Sequence, residues 1–525
     1  MSENSGNGFS LTRRSLLKGT VATGLIGGLS PVAFSGTAQA AEPKKGGIIK
    51  VAVSSGNTTD STDPGLWAEA FTMIGFSGAV YNNLVEINDK GELIPELAVS
   101  WEASPDAKEW TFKLRNGIEF HHGKVFGAED VIATIRHHQG EDSKSAAKGL
   151  LTEVENVRAD GNNVVFELKG GNADFPYVLT DFHLVMLPSK DGVADWKSGH
   201  GTGGYKIKHF EPGVRLELVR NDNYWKEGRA HFDGAEVLVI ADDTARINAL
   251  MTGEVDLINR VNLKAVHLLK RNPNVVIDNV TGRQHYTFPM MMDRVPYKNN
   301  DVRLAIKYAV DREALVKTAL KGYGMVGNDH PISPAYKFYN KDLPQRPYDP
   351  DQAKFHLKKA NEVGLQIRLH VSDAAFSGAT NAAVMIKEHM SKAGIDLHVV
   401  RAPSDGFWND VWMKESFCAS YYFGRPTEDS MLSLVYAENA SWNESHFKHD
   451  KFNQLLTAAR SELDEEKRRS MYYEMQSILS NEGSTLMPMF GNFVSARTKK
   501  IANDGKLSSN AELDGLRVIE RWWQA

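Results

Sequence analysis

The 525-residue sequence predicts a mixed α/β protein built as two or more lobes. Strand-like and helix-like patterns alternate along the chain, as layered α/β lobes require. The length exceeds what one hydrophobic core organises. Cys418 is the only cysteine, so no intrachain disulfide can form and apolar packing has to supply the stability. That cysteine reads as a small buried apolar residue in a strand-like run, not as a nucleophile.

The first forty residues read as a targeting segment outside the fold. Thr12-Arg13-Arg14-Ser15-Leu16-Leu17-Lys18 is a twin-arginine pattern, of the kind that directs export of folded proteins. The apolar stretch Gly19 to Phe34 is too short and glycine-rich for a comfortable membrane span. Ala38-Gln39-Ala40 offers the small residues a signal peptidase needs, which predicts cleavage between Ala40 and Ala41. Ala rather than Cys at 41 leaves no lipid attachment site. Losing three basic residues and one acidic residue with this segment takes the formal net charge from -5 to -7. A mildly acidic, 24% charged chain has no electrostatic reason to hold nucleic acid or an anionic membrane.

The elements follow in chain order. Trp110 to Leu114 and Val214 to Leu218 alternate with period two, so each is a strand burying one face. Gly201-Thr202-Gly203-Gly204 leads into Tyr205-Lys206-Ile207, another strand. It is therefore a turn and not a phosphate cradle, which would open a helix. Val237 to Ile240 is a continuous apolar run, suited to a strand covered on both faces. Val302, Ala305, Ala309 and Leu315 mark a helical face, and Asp311 to Glu313 starts a new helix within it. Phe452, Leu455, Leu456 and Ala459, then Met471, Met475, Ile478 and Leu479, repeat at helical spacing and read as core. Glu462 to Arg469 (ELDEEKRR) reads as a solvated face laced with i, i+4 pairs.

Enzyme signatures are missing from the sequence: no G-x-S-x-G elbow, H-E-x-x-H, paired C-x-x-C, Walker loop or EF-hand loop. His121-His122 and His137-His138 are adjacent pairs, not the i, i+4 pairs that would aim two ligands at one metal. They predict neither a metal site nor a cofactor.

Four segments resemble consecutive signature stretches of one family: Leu114 to Asp130 (LRNGIEFHHGKVFGAED), Gly201 to Trp225 (GTGGYKIKHFEPGVRLELVRNDNYW), Ala245 to Ile258 (ARINALMTGEVDLI) and Asp301 to Gly322 (DVRLAIKYAVDREALVKTALKG). The chain is similar to the bacterial extracellular solute-binding proteins of family 5, the peptide-binding subunits of ABC importers. The resemblance implies a type II-like two-lobe periplasmic-binding fold with an extra subdomain in the first lobe. It implies a discontinuous lobe 1 at 41–91, 201–293 and 487–525, the subdomain at 92–200 and lobe 2 at 294–486. Hinge strands are expected near Tyr286 to Met290 and Met487 to Phe490. His121 lies in the family's F-H-x-G turn, where a hydrogen-bonded structural role is expected.

The resemblance also assigns the ligand stretches. One follows the first strand at Ser54, Ser55, Gly56 and Asn57; Phe376 marks the second; Tyr421, Tyr422, Phe423, Gly424 and Arg425 form the third. Peptide-binding members hold the ligand's amine with an Asp, and Gly424 stands at that position here. No Arg occupies the second stretch to hold a dipeptide's carboxylate. Arg425 is then a candidate for a ligand anion, with an outward salt bridge to Glu428 or Asp429 as the competing reading. Trp408 and Trp442 join the tyrosines and Phe423 as stacking walls, although core packing should claim at least half of these aromatics. The implied function is a monomeric, soluble periplasmic binding subunit. It closes on a peptide-like or opine-like solute and hands it to a membrane permease. A sugar-derived ligand, a metallophore or haem-type cargo, and an exported hydrolase are the alternatives.

Overall fold

In the computed structural model, residues 43–404 and 406–525 are described; Arg13, Arg14, Ala40 and Ala41 lie outside them. Two long strands, Val275–Pro289 and Thr485–Thr498, pair antiparallel and organise the rest. They belong to a nine-stranded sheet. Its order is Tyr205–Glu211, Arg215–Arg220, Gly234–Val239, Ile48–Val53, Leu257–Ile258, Thr485–Thr498, Val275–Pro289, Ser420–Tyr422, with Gly324–Val326 also pairing to Thr485–Thr498.

On one side of the long pair, Ile48–Val53 runs parallel to both Gly234–Val239 and Leu257–Ile258. Alternation sorts its side chains. Ile49, Val51 and Val53 enter a core with Trp67, Phe71 and Phe76, while Ala52 enters another with Leu250, Leu269 and Val494. Val237 is buried in the first of these cores, and Leu238 and Ile240 are half-buried against the second, so the apolar run is covered on both faces. The predicted alternating strands are Glu109–Leu114 and Arg215–Arg220. The first lies in a four-stranded antiparallel sheet with Ala98–Ala103, Asn163–Leu168 and Val154–Asp160. The core beneath that sheet holds Phe112, Phe166, Phe175 and the inner face of helix Ala128–Gln139.

Beyond the long pair, strands Gln366–Val371 and Asp396–Arg401 run parallel, joined by helix Ala379–Ser391. Helix Asn300–Tyr308 is followed by Arg312–Ala319, which Asp311 caps by accepting the Ala314 N–H at 2.9 Å. Val302, Ala305, Ala309 and Leu315 are all buried in one core, which also takes Cys418; burial pushes that thiol's pKa up. Helices Asp450–Ser461 and Glu465–Glu482 bury Phe452, Leu456, Met475 and Leu479 together.

One expectation is corrected here. Glu462 to Arg469 is not a wholly solvated face: Arg468 is buried and pairs with Asp174 at 2.7 Å, beside Phe338 and Tyr472. The nearest pair within the helix is Arg469–Glu466 at i, i+3. Packing against the 174 segment draws Arg468 inward, which local charge spacing does not report.

Candidate ligand-binding site

A cavity of about 700 Å³ opens over the two long strands. Val280, Gln284, Tyr286 and Asn492 to Ser495 form its floor. One wall comes from Arg260 to Lys264 and Ala511 to Asp514, the other from Thr318 to Lys321 and the helix that begins at Ala379. The floor is irregular for a reason. Thr281 pairs with Asn492 and His285 with Phe490, so the first strand carries two extra residues between them. Gly282 is needed at this bulge, because a Cβ there would lie 2.8 Å from the Gly491 carbonyl oxygen. Gln284, within the bulge, lines the cavity with Val280 and Tyr286, two strand positions apart from the latter.

The wall nearest the parallel strands is locked by Glu512. Arg260 donates to both its carboxylate oxygens, through Nη2 at 2.6 Å and Nε at 3.0 and 3.2 Å. The Asn259 side-chain amide donates to it at 3.0 Å, and Asn259 Oδ1 accepts the Ser54 N–H at 2.9 Å. A bidentate fork of this kind fixes orientation as well as charge.

The predicted residues divide. Phe423, 51% exposed, lines the cavity. Phe376 is buried behind the floor, its ring 4.4 Å from that of Tyr286. Tyr421 pairs opposite Tyr286 in the sheet. Its ring contacts Phe423 at 5.2 Å and Trp408 at 5.7 Å, and the aromatic chain continues through Trp412 to Trp442. Tyr422 points to the opposite face, is buried and stacks on His285. The 54–57 stretch does not line the cavity. Ser55 Oγ accepts the Ala70 N–H at 3.2 Å, a Cβ on Gly56 would sit 2.5 Å from Val239 Cγ2, and Asn57 Oδ1 accepts the Thr59 N–H at 3.1 Å. Its polar groups serve the turn itself. Only Ser54 Oγ in this stretch is buried without a partner.

Arg425 makes neither of the expected salt bridges. Glu428 accepts the Phe338 N–H, and Asp429 pairs with Arg460 at 3.2 Å. Arg425 Nη1 donates instead to the Phe423 and Gly424 carbonyls at 3.3 Å, and its guanidinium stands 6.0 Å from the Trp442 ring. Trp408, Trp442, Gly424 and Arg425 are outside the cavity lining. Arg260, Glu512, Gln284 and Asn492 are in it and were not singled out from the sequence. Arg260 and Glu512 lie 252 residues apart, so no local pattern pairs them.

The histidines are engaged within the fold. His121 accepts the Gly201 N–H at Nδ1 (3.2 Å) and donates from Nε2 to the Gly203 carbonyl (3.0 Å), so the ring is neutral. Burial lowers its pKa to about 4. His137 Nε2 meets Asp63 at 2.8 Å and His138 Nδ1 meets Ser145 Oγ at 2.6 Å. Among the described residues, no helix is long and apolar enough to cross a membrane.

Comparison with known proteins places this geometry. Residues 92–469 match the family described as bacterial extracellular solute-binding proteins, family 5 Middle. The chain is 27% identical over 463 residues to heme-binding protein A of Haemophilus influenzae, covering 80% of this chain and 83% of that one. It is 26% identical over 470 residues to the dipeptide-binding protein of Escherichia coli, covering 81% and 86%. The solved structure of HbpA2 from Haemophilus parasuis superposes with a TM-score of 0.80 at 20% identity, covering 91% of this chain and all of that one. The relatives are binding proteins whose names specify different cargoes on one architecture. The chain belongs to the bacterial extracellular solute-binding proteins, family 5.

Proposed function

We propose that the chain is the periplasmic substrate-binding subunit of an ABC importer, and that it takes a peptide-like or opine-like solute with at least one acidic group. The observation that carries this reading is the cavity itself, which has one wall from the 260–264 and 511–514 segments, the other from the 318–321 and 377–385 segments, and the two long strands beneath. In this reading 41–91, 201–293 and 487–525 form lobe 1, with 92–200 as its subdomain, and 294–486 form lobe 2. The strands near Tyr286 to Met290 and Met487 to Phe490 bend as the hinge, and the permease recognises the closed form. The protein leaves the cytoplasm by the twin-arginine route and acts as a soluble monomer cleaved after Ala40. The aromatic chain from Phe423 through Tyr421 to Trp408 favours a ligand with a flat face, which keeps a sugar-derived solute as the second reading.

A thermal-shift screen against peptides, opines, acidic sugars and metal complexes tests the reading, since a ligand that binds only the folded state raises Tm. Small-angle scattering with a hit should then show a smaller radius of gyration. Tight binding at an unchanged radius would remove hinge closure.

A further inference from the structure

Residues 171–174 belong by chain position to the 92–200 subdomain, yet they are fastened to helices of lobe 2. Asp174 pairs with Arg468 at 2.7 Å, each side chain 8% exposed. The Ala173 N–H donates to the Arg460 carbonyl at 2.7 Å. Gly171 lies against Ser461, where a Cβ would fall 2.7 Å from Ser461 Cβ. Both halves of this clasp are rigid. On the subdomain side, the Asn172 N–H donates to the Ala107 carbonyl and Trp110 Nε1 to the Asn172 carbonyl, each at 3.0 Å, and Phe175 is buried with Phe112 and Phe166. On the lobe 2 side, Arg460 donates to Asp429 at 3.2 Å and to Ser433 Oγ at 2.6 Å. Arg468 donates to the Ala459 carbonyl at 3.2 Å, and its guanidinium stands 5.4 and 5.6 Å from the Phe338 and Tyr472 rings.

The clasp lies behind the long strands as seen from the cavity. Tyr286 lines the cavity, and Tyr421, directly opposite it in the sheet, shares its face. Tyr422 points the other way and is buried in one core with Phe338, Phe452 and Tyr472, two of which are the rings beneath Arg468. None of residues 171–174, 460, 461 and 468 lines the cavity. The cavity face has the reverse arrangement. Among the described residues, no hydrogen bond or ion pair joins the wall of 260–264 and 511–514 to the wall of 318–321 and 377–385. The lobes are therefore untied in front of the strands and tied behind them.

A bend in the long strands that brings the two cavity walls together swings the lobes apart behind them, so closure pulls on this clasp. Its chemistry suits a contact that is made and broken. Asp174 Oδ2 is buried with no partner. A buried ion pair left half satisfied adds little net stability, because desolvation offsets the attraction. Once the halves separate, both charges return to water. We propose that Asp174 and Arg468 form a clasp that holds the solute cavity open until a ligand binds, so that the extra subdomain sets the ratio of open to closed forms. A solute then has to supply the free energy that parts the clasp. Weakening the clasp raises the closed fraction and tightens binding by the same factor. This rests on the two-lobe reading above and goes beyond it.

Spin-label distances across the cavity mouth test it on the full mature chain with no solute added. Cys418 is buried, so labels react at introduced cysteines, Leu268→Cys and Lys387→Cys, both exposed positions on the helices that flank the two walls. With the native clasp the long distance should dominate. Asp174→Lys sets two cations against each other and should raise the ratio of short to long distances about tenfold or more; Asp174→Asn should raise it less. Combining Asp174→Lys with Arg468→Glu restores opposite charges and should return the ratio toward that of the native clasp, a rescue that a loss of fold does not mimic. If Asp174→Lys fails to fold, Asp174→Asn and the charge swap carry the comparison. The same distribution in every protein overturns the proposal, as does a longer distance in either single variant or a swap that restores nothing. Whether the lobes move at all is read separately, from the small-angle scattering with a solute hit, so a failed clasp is distinguishable from a failed hinge.

Discussion

Gly424→Ala asks whether the floor strand and the 423–425 loop move as one piece. The added methyl carbon would lie 2.0 Å from Arg283 Cβ and 3.1 Å from Arg283 Cα. Ordinary carbon contacts sit near 3.5–4.0 Å, so one side has to yield by roughly 1.5 Å. Neither side yields easily. The strand is fixed by its pairing with Thr485–Thr498 and by the four Arg283 hydrogen bonds. The loop is fixed by the strand Ser420–Tyr422 and by the Arg425 N–H donating to the Tyr336 hydroxyl at 3.0 Å. Overpacking costs about 1–3 kcal/mol, and weakening one or two neutral hydrogen bonds adds about 1 kcal/mol.

The expected loss is thus about 2–4 kcal/mol, read from urea unfolding by tryptophan fluorescence. Displacement of Phe423, which lines the cavity, should weaken a confirmed ligand at the same time. A double-mutant cycle isolates the contact. Arg283→Gly removes the Cβ, so in that background Gly424→Ala should cost less than about 0.5 kcal/mol, the ordinary scale for a residue away from special features. A cost below that in the wild-type background, or the same cost in both, would refute the steric coupling.

Asp329 accepts from Arg312 at 2.8 and 3.0 Å, from Arg346 at 3.2 Å and from the Met487 N–H at 3.0 Å, so Asp329→Asn should cost about 3–5 kcal/mol in urea unfolding. Against its burial, Arg312 and then Lys307 and Arg346 hold the Asp329 pKa below the ordinary value. Its contribution is present above the unfolded carboxylate value and lost as pH falls through the folded one; the variant should show a shallower acid limb below about pH 4, and an unchanged limb would contradict the pairing. Burial also lowers His138, His285 and His330 to about 4 each. Folded values below the unfolded one mean stability that is complete above about pH 6.5 and lost as pH falls toward 4, on the order of 3 kcal/mol per histidine; a flat unfolding midpoint across that range would show that the rings protonate without penalty. Replacing Arg13 and Arg14 by Lys should leave uncleaved precursor in the cytoplasm, checked by fractionation and N-terminal sequencing, and a signal retained on periplasmic protein would defeat cleavage after Ala40.

Local signals in the sequence are legible where the neighbours that matter are close in the chain. Asp311 caps a helix because its carboxylate needs only the Ala314 N–H three residues on. Glu109–Leu114 alternates because a sheet face needs only every second side chain. The pentapeptide Tyr286 to Met290, which the family resemblance marks as an expected hinge, lies across the end of the long strand Val275–Pro289. The site is different in kind. Gly424 is small because Arg283 stands against it, and Arg425 lacks a salt bridge because Asp429 is taken by Arg460 and Glu428 by a backbone N–H. Each of those facts depends on a partner far along the chain, so spacing around residues 421–429 predicts a pairing that the fold forbids. Charge follows the same logic. Overall the chain carries an excess of acid, yet the acids at the cavity are matched by arginines while Lys264 and Lys321 are left over. The sign a ligand meets is set by which charges the fold leaves unpaired, so a net acidic protein can present a cationic pocket.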